Sequence, residues 1–200
     1  MNNLAREMNT ESFQISNADD VCVAEIVADF KMSARTSIHR KSVSAPLKFL
    51  LGKNLINGST LNYGKGRCDN DSNAIIAAGH ACTNYDYTYC YQPEVLGGSF
   101  MTVYCGYVTN TLPTKSRKVV WKEMAASTRK DKGFCFVAAR SDKIVGEAFD
   151  DGVKTKIGTF QKSYAKGELL EEALQHFAFA IELTGTPSGC RIVMCSHHGL

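Results

Sequence analysis

No run of the chain approaches the roughly 18 consecutive apolar residues that cross a bilayer, which excludes a helical membrane span and leaves no membrane partner to expect. The start, Met1–Glu7, has no apolar h-region, so no secretory signal is read there and the cytoplasm is the expected compartment. Missing too is any CxxC pair among the eight cysteines, which sets aside disulfide-rich scaffolds and zinc ribbons. Cys135 and Cys195 sit inside apolar runs, Phe134–Val137 and Ile192–Cys195, where a free thiol behaves as a small hydrophobe, so reduced, buried thiols are expected. Cys190, Cys195, His197 and His198 crowd the tail at a spacing that fits no zinc module, and no metal is expected. Internal repeats and low-complexity tracts are absent, and 200 residues suit a single domain.

Acids are missing from one long segment. Residues 31–68 carry Lys31, Arg35, Arg40, Lys41, Lys48, Lys53, Lys65 and Arg67 without an Asp or Glu. Residues 1–30 hold six acids (Glu7, Glu11, Asp19, Asp20, Glu25, Asp29) against Arg6 alone, so the net charge of +3 conceals a strong asymmetry. Segregation of this kind creates a positive field that attracts phosphate-rich partners. Segment 31–68 is therefore the expected contact for DNA or RNA, with a protein partner as the alternative. Residues 1–40 read as an N-terminal arm, acidic then basic and partly flexible, ahead of a domain over 41–200.

What is present alternates between strand and helix patterns. Ser44-Ala45-Pro46 opens a short helix through Leu47, Leu50 and Leu55 that closes near Asn57-Gly58. Ser59–Tyr63 is a strand ending at Gly64-Lys65-Gly66, and Asp69 caps a helix that stops at Gly79. Further strands are Ala81–Tyr85, Ser99–Cys105 and Phe134–Ala139, with a helix opened by Pro113 between the last two. Residues 150–161 form a polar, glycine-punctuated connection longer than a structural loop needs. A helix through Leu169–Phe177 follows, and Ala178–Leu183 with Cys190–Ser196 makes a terminal hairpin. The expected fold class is α/β: a mainly parallel sheet with a C-terminal antiparallel hairpin and helices on both faces.

In an open α/β sheet, ligands bind beyond the carboxyl ends of the strands. Gly64-Lys65-Gly66 follows the first strand, and Asp86 follows the second, twenty residues beyond Gly66. A glycine turn beneath a ligand and a carboxylate accepting from ribose hydroxyls are the elements of a nucleoside site; an ordinary βα turn with a loop aspartate is the plain alternative. A full GxGxxG is lacking, which argues against a dinucleotide, and so is GxxxxGK[ST], which argues against a nucleotide triphosphatase.

Leu61-Asn62-Tyr63-Gly64-Lys65-Gly66-Arg67-Cys68-Asp69 resembles the first motif of class I S-adenosylmethionine-dependent methyltransferases. The nearest branch is bacterial and phage, and includes methyltransferases associated with DNA phosphorothioation. Arg35-Thr36, Arg40-Lys41 and Ser44-Ala45-Pro46 resemble the lead-in to that motif, and Asn84-Tyr85-Asp86-Tyr87 the second motif. Val103–Pro113, Arg140-Ser141-Asp142, Asp151–Thr155 and Gly158–Gln161 resemble later ones, so the likeness spans about residues 35–180. It implies a Rossmann-like methyltransferase sheet and S-adenosylmethionine as cofactor. The methionine portion would lie against Asn62, Tyr63, Gly64, Lys65 and Gly66. Ribose would lie on Asp86, adenine beside Tyr87 and the loop after Tyr89, and the sulfonium beside Cys105, Gly106 and Tyr107. The sequence departs from the pattern at Asn62, Lys65, Cys68, Tyr87 and Gly106. Lys65 would bring positive charge near a sulfonium unless it is paired.

Methyl transfer mainly needs positioning, so no obligatory catalytic side chain has to appear. Tyr107 and Asn110 are the catalytic candidates, placed to contact the acceptor. Arg35, Arg40, Lys41, Asp151, Thr155 and Gln161 are candidates to hold it, with 143–161 as a lid. A [DN]PP[YFW] tetrapeptide is lacking, which disfavours methylation of an exocyclic base nitrogen. The expected function is a small methyltransferase acting on nucleic acid or a nucleic-acid-linked substrate. The alternatives are a non-catalytic binding module, as in a phage factor acting on host defence within the host cytoplasm, and an enzyme that consumes S-adenosylmethionine without an acceptor.

Overall fold

A computed structural model describes residues 22–200. Glu7, Glu11, Asp19 and Asp20 of the acidic arm lie outside the described residues. Six strands form one sheet in the order β2-β1-β3-β4-β9-β8: β1 Thr60–Tyr63, β2 Cys82–Tyr85, β3 Thr102–Gly106, β4 Phe134–Arg140, β8 Phe179–Glu182 and β9 Cys190–Ser196. The first four run parallel, and β9 pairs antiparallel with both β4 and β8. This is the expected mainly parallel sheet closed by a terminal hairpin. Strands buried on both faces read as continuous apolar runs, and in β4 Cys135–Ala139 are all buried.

Alternation along each strand separates two cores. Leu61, Tyr63, Val103, Cys105, Cys135 and Val137 face one side, where α1 (Val23–Ser33), α4 (Thr114–Ser127) and α5 (Glu168–Leu174) pack through Ile26, Phe30, Val120, Trp121 and Leu169. Tyr104, Phe136, Ala138 and Ile192 face the other, against Leu47 and Leu50 of α2 (Ala45–Gly52) and Ile75 of α3 (Asn70–Ala77). Helix α2 stops at Gly52, earlier than Asn57-Gly58, and Leu55 and Ile56 enter the core from the loop. Helix α1 goes unanticipated in the sequence reading, although Val23, Ile26, Val27 and Phe30 have the i, i+3, i+4, i+7 spacing of an amphipathic helix.

The polar connection 143–161 is more ordered than a loop. Strands β5 (Glu147–Phe149), β6 (Gly152–Lys154) and β7 (Phe160–Gln161) make a separate antiparallel sheet. Gly152 is required there, because a Cβ would lie 2.6 Å from both the Gln161 carbonyl oxygen and the Phe160 ring. Asp150 accepts the Thr114 N–H at 2.6 Å, which ties the β5–β6 turn to the start of α4.

All eight cysteines are free. Cys105, Cys135, Cys190 and Cys195 are buried, whereas Cys68, Cys82 and Cys90 are half-buried and Cys22 is exposed, so full burial holds for four of the eight thiols. Cys190 and Cys195, an odd number of positions apart on β9, enter opposite cores. No helix among the described residues is long and apolar enough to cross a membrane.

Candidate functional site

The strand order reverses between β1 and β3, since the chain leaves β1 toward β2 and returns to the other side of β1 as β3. A cavity of about 730 Å³ opens at that point, beyond the carboxyl ends of the parallel strands. Helix α1 and the turn after it wall one side through Phe30, Ser33 and Ala34; the β6–β7 turn walls the other through Thr155, Lys156 and Ile157.

The glycine loop and the aspartate meet there. Gly66 N–H donates to Asp86 Oδ2 at 2.9 Å, while Thr88 and Tyr89 N–H donate to Oδ1 at 2.8 and 2.9 Å. Gly64 and Gly66 both adopt positive φ, +70° and +68°, and a Cβ on Gly64 would lie 2.1 Å from Val108. Asp86 is 6% exposed. Three of a carboxylate's roughly four acceptor positions are taken by backbone, which leaves one for a ligand hydroxyl rather than the two expected.

Of the sequence-predicted residues, Gly64, Lys65, Gly66, Asp86 and Gly106 line the cavity, as do Tyr107, Asn110, Arg40, Thr155 and Gln161. Lys65 is ion-paired with Asp69 at 2.5 Å, so its charge is neutralised within its own loop. Arg40 lies 3.8 Å from Asp71 and 5.5 Å over the Tyr107 ring. Tyr107 holds a left-handed backbone (φ +64°) that is uncommon for an aromatic residue, fixed by its N–H donating to the Ala138 carbonyl at 2.7 Å. Burial, with Cys190 beside it, pushes the Tyr107 phenol up to about 12, so its hydroxyl stays protonated at neutral pH and serves as a donor, not a base.

Others do not reach the cavity. Asn62 points beneath α3, its amide donating to Ser72 at 3.0 Å and Asn84 at 3.4 Å. Tyr63 and Tyr87 lie on the opposite face, where both hydroxyls donate to Glu123; Tyr87 stacks on Phe30 at 4.4 Å. Cys105 is buried in the same core, and that burial pushes its thiol pKa up. Asp151 is held by Arg117 and, at 3.0 Å, by Lys162, so it braces the small sheet. Arg35 and Lys41 are exposed, with the Arg35 guanidinium on Met32 Sδ at 3.4 Å. Strand alternation takes Asn62, Tyr63 and Cys105 away from the ligand side, and opposite charges take Asp151.

Residues not named as ligand contacts from the sequence complete the wall: Thr88 and Tyr89 beside Asp86, Arg140 and Asp142 at the end of β4, and Ile144, Val145 and Ile157 at the rim. Their sequence signals are position at a strand end, the motif likeness of Arg140-Ser141-Asp142, and the segment 143–161 read as a lid.

No protein-family model matches the sequence, and no curated protein matches it. Among solved structures, one similar chain is 1,6-didemethyltoxoflavin-N1-methyltransferase of Burkholderia thailandensis, solved with 1,6-didemethyltoxoflavin and S-adenosylhomocysteine bound. Its TM-score is 0.60 at 12% identity, with 86% of this chain and 87% of that one covered. A structure described for the conversion of a disulfide bond into a thioacetal group during echinomycin biosynthesis gives 0.57 at 11%, covering 87% and 93%. DhpI in complex with SAH gives 0.51 at 13%, covering 77% and 83%. The fold is the Rossmann-like sheet of class I methyltransferases.

Proposed function

We propose that this chain is an S-adenosylmethionine-dependent methyltransferase whose acceptor is a compact molecule taken into the cavity. The observation that carries this reading is the junction of the Gly64–Gly66 loop with Asp86 at adjacent strand ends, on the floor of a cavity between α1 and the β5–β7 sheet. Its volume lies within the roughly 300–1,000 Å³ of small-molecule sites. Support also comes from the fold, and from the S-adenosylhomocysteine bound in the 1,6-didemethyltoxoflavin-N1-methyltransferase neighbour.

The residues present fit that cofactor. Asp86 keeps one acceptor position for a ribose hydroxyl, Gly64, Gly66 and Gly106 line the cavity, and the Lys65–Asp69 pair removes the charge that would repel a sulfonium. When bound, S-adenosylmethionine supplies an electrophilic methyl carbon, so an acceptor lone pair held in line with it suffices. Gly106 and Tyr107, at the end of β3, stand between the Asp86 side of the cavity and Asn110 and Gln161, where the acceptor sits. Their part is to bind and orient it while α1 and the β6–β7 turn limit water.

Isothermal calorimetry with S-adenosylhomocysteine tests this. The expected result is saturable binding with a Kd well below millimolar, abolished in Asp86→Ala; no heat with the folded wild-type chain overturns it. A nucleic-acid acceptor is a second reading, favoured by the exposed Lys31, Arg35, Lys41, Lys48, Lys53 and Arg67. It requires salt-sensitive binding of an oligonucleotide that competes for the same cavity. The bacterial and phage branch rests on the motif resemblance alone.

A further inference from the structure

Most polar groups on the cavity wall already have partners. The Asp86 carboxylate holds three backbone N–H groups, Lys65 pairs with Asp69, and the Thr155 and Thr159 hydroxyls pair with each other at 2.7 Å. Two buried side-chain amides stand apart. Gln161, on β7, is 7% exposed and lines the cavity, and among the described residues nothing pairs with its amide. Asn110, in the turn after β3, is 3% exposed; its Oδ1 accepts the Arg140 N–H at 3.4 Å and, among the described residues, its NH2 has no partner. The two come from adjoining backbone, since Lys162 N–H donates to the Asn110 carbonyl at 2.8 Å.

Neither amide is among the sealed polar atoms without a partner, which among the described residues are Tyr85 Oη, Thr109 Oγ1 and Arg191 Nε, so their free donor and acceptor positions stay open to a ligand. Neither atom set is sealed: both amides border the open cavity rather than the packed interior. We propose that Asn110 and Gln161 read the lactam edge of a flat nitrogen heterocycle, the Asn110 NH2 donating to its carbonyl oxygen and the Gln161 Oε1 accepting its ring N–H. A lactam uses the acceptor as well as the donor side of this pair, whereas a carboxylate or phosphate engages only the amide N–H groups and leaves Gln161 Oε1 unfilled, and a simple phenol or amine does not offer adjacent donor and acceptor groups. Ile144 and Val145, between β4 and β5, and Ile157, in the β6–β7 turn, supply apolar surface for the ring. This rests on the methyltransferase reading only in taking the heterocycle as the methyl acceptor; the recognition itself depends on the two amides.

Calorimetry of the full chain with lumazine (pteridine-2,4-dione), with and without saturating S-adenosylhomocysteine, separates the two. Expected is lumazine binding that falls about tenfold in Gln161→Leu and in Asn110→Asp, with 1,3-dimethyllumazine, which lacks the ring N–H groups, bound correspondingly weakly. Gln161→Leu should keep or raise the melting temperature, because no internal hydrogen bond is lost, and should leave S-adenosylhomocysteine binding unchanged. Lumazine binding without S-adenosylhomocysteine binding would sink the methyltransferase reading and keep this one. Oligouridylate bound more tightly than lumazine, and still dependent on Gln161, would place the lactam on a nucleic acid. Equal binding of lumazine and its dimethyl analogue, binding unaffected by Gln161→Leu, or no lumazine binding by a folded chain that binds S-adenosylhomocysteine would overturn the proposal.

Discussion

At Gly64, two independent constraints coincide: a left-handed backbone at φ +70° and a Val108 methyl 2.1 Å from where a Cβ would be. Gly64→Ala is expected to cost about 1–2 kcal/mol for the backbone alone, with a further overlap cost of roughly 1–3 kcal/mol. Urea unfolding measures the loss, and calorimetry should show S-adenosylhomocysteine binding weakened with it. Asp86→Asn separates charge from shape. An Asn side chain has one oxygen to accept where the carboxylate has two, so one of the Gly66, Thr88 and Tyr89 N–H groups loses its partner. A fall in cofactor affinity of about tenfold is the expected calorimetric result. The glycines and Asp86 are legible in the sequence because turn geometry and distance along the chain announce them. The fate of Lys65 is not, since Asp69 competes for it only once the loop is folded.

Helix α1 reaches the cavity through Phe30 and Ser33 and is held by its buried face. Ile26 and Phe30 are buried, Phe30 stacks on Tyr87, and Asp29 accepts the Ser116 hydroxyl of α4 at 2.6 Å. Phe30→Ala should cost roughly 3–5 kcal/mol, the range for truncating a buried aromatic, and should widen the cavity entrance. Chemical denaturation gives the first quantity, and ligand affinity reports the second. The β5–β7 sheet has the opposite construction, with β5 wholly exposed and its turn held by charge. Arg117, 3% exposed, binds Asp151, Glu172 and the Leu112 carbonyl, and Trp121 and Tyr164 donate to the same Glu172. Arg117→Met leaves those carboxylates facing one another, a loss on the order of 3–5 kcal/mol for a buried pair, reduced here because Asp151 is a third exposed. Limited proteolysis within 143–159 should accelerate in this variant.

Across the domain, two titrations lower stability on the acid side. Burial alone would raise the Asp151 carboxyl, but hydrogen bonds from Arg117 and Lys162 hold it below 3.8. Its contribution is present above that value and lost as pH falls through it. His176 stacks on Trp121 at 6.1 Å, and burial, with Lys122 nearby, depresses its pKa below 6.5. A depressed histidine gives stability that is full above 6.5 and declines as pH drops, because the unfolded chain takes up the proton first. Urea unfolding from pH 7.5 to 5 should show that decline, and His176→Phe should flatten it.

Helices and strands over most of 41–200, the mainly parallel sheet and the Gly64–Asp86 pairing follow from local pattern: periodicity, glycine stops and strand ends act over a few residues. Which side chains face a ligand does not. Asn62 and Tyr63 belong to the same motif as Gly64, yet β1 turns Asn62 toward α3 and Tyr63 toward Glu123 of α4. Asp151, placed by its motif on a substrate, answers instead to an arginine 34 positions away. Gln161 becomes a wall residue because β7 docks against the turn after β3. Contacts of this range form only when the layers pack, and burial then leaves each polar group to the nearest partner that offsets its desolvation.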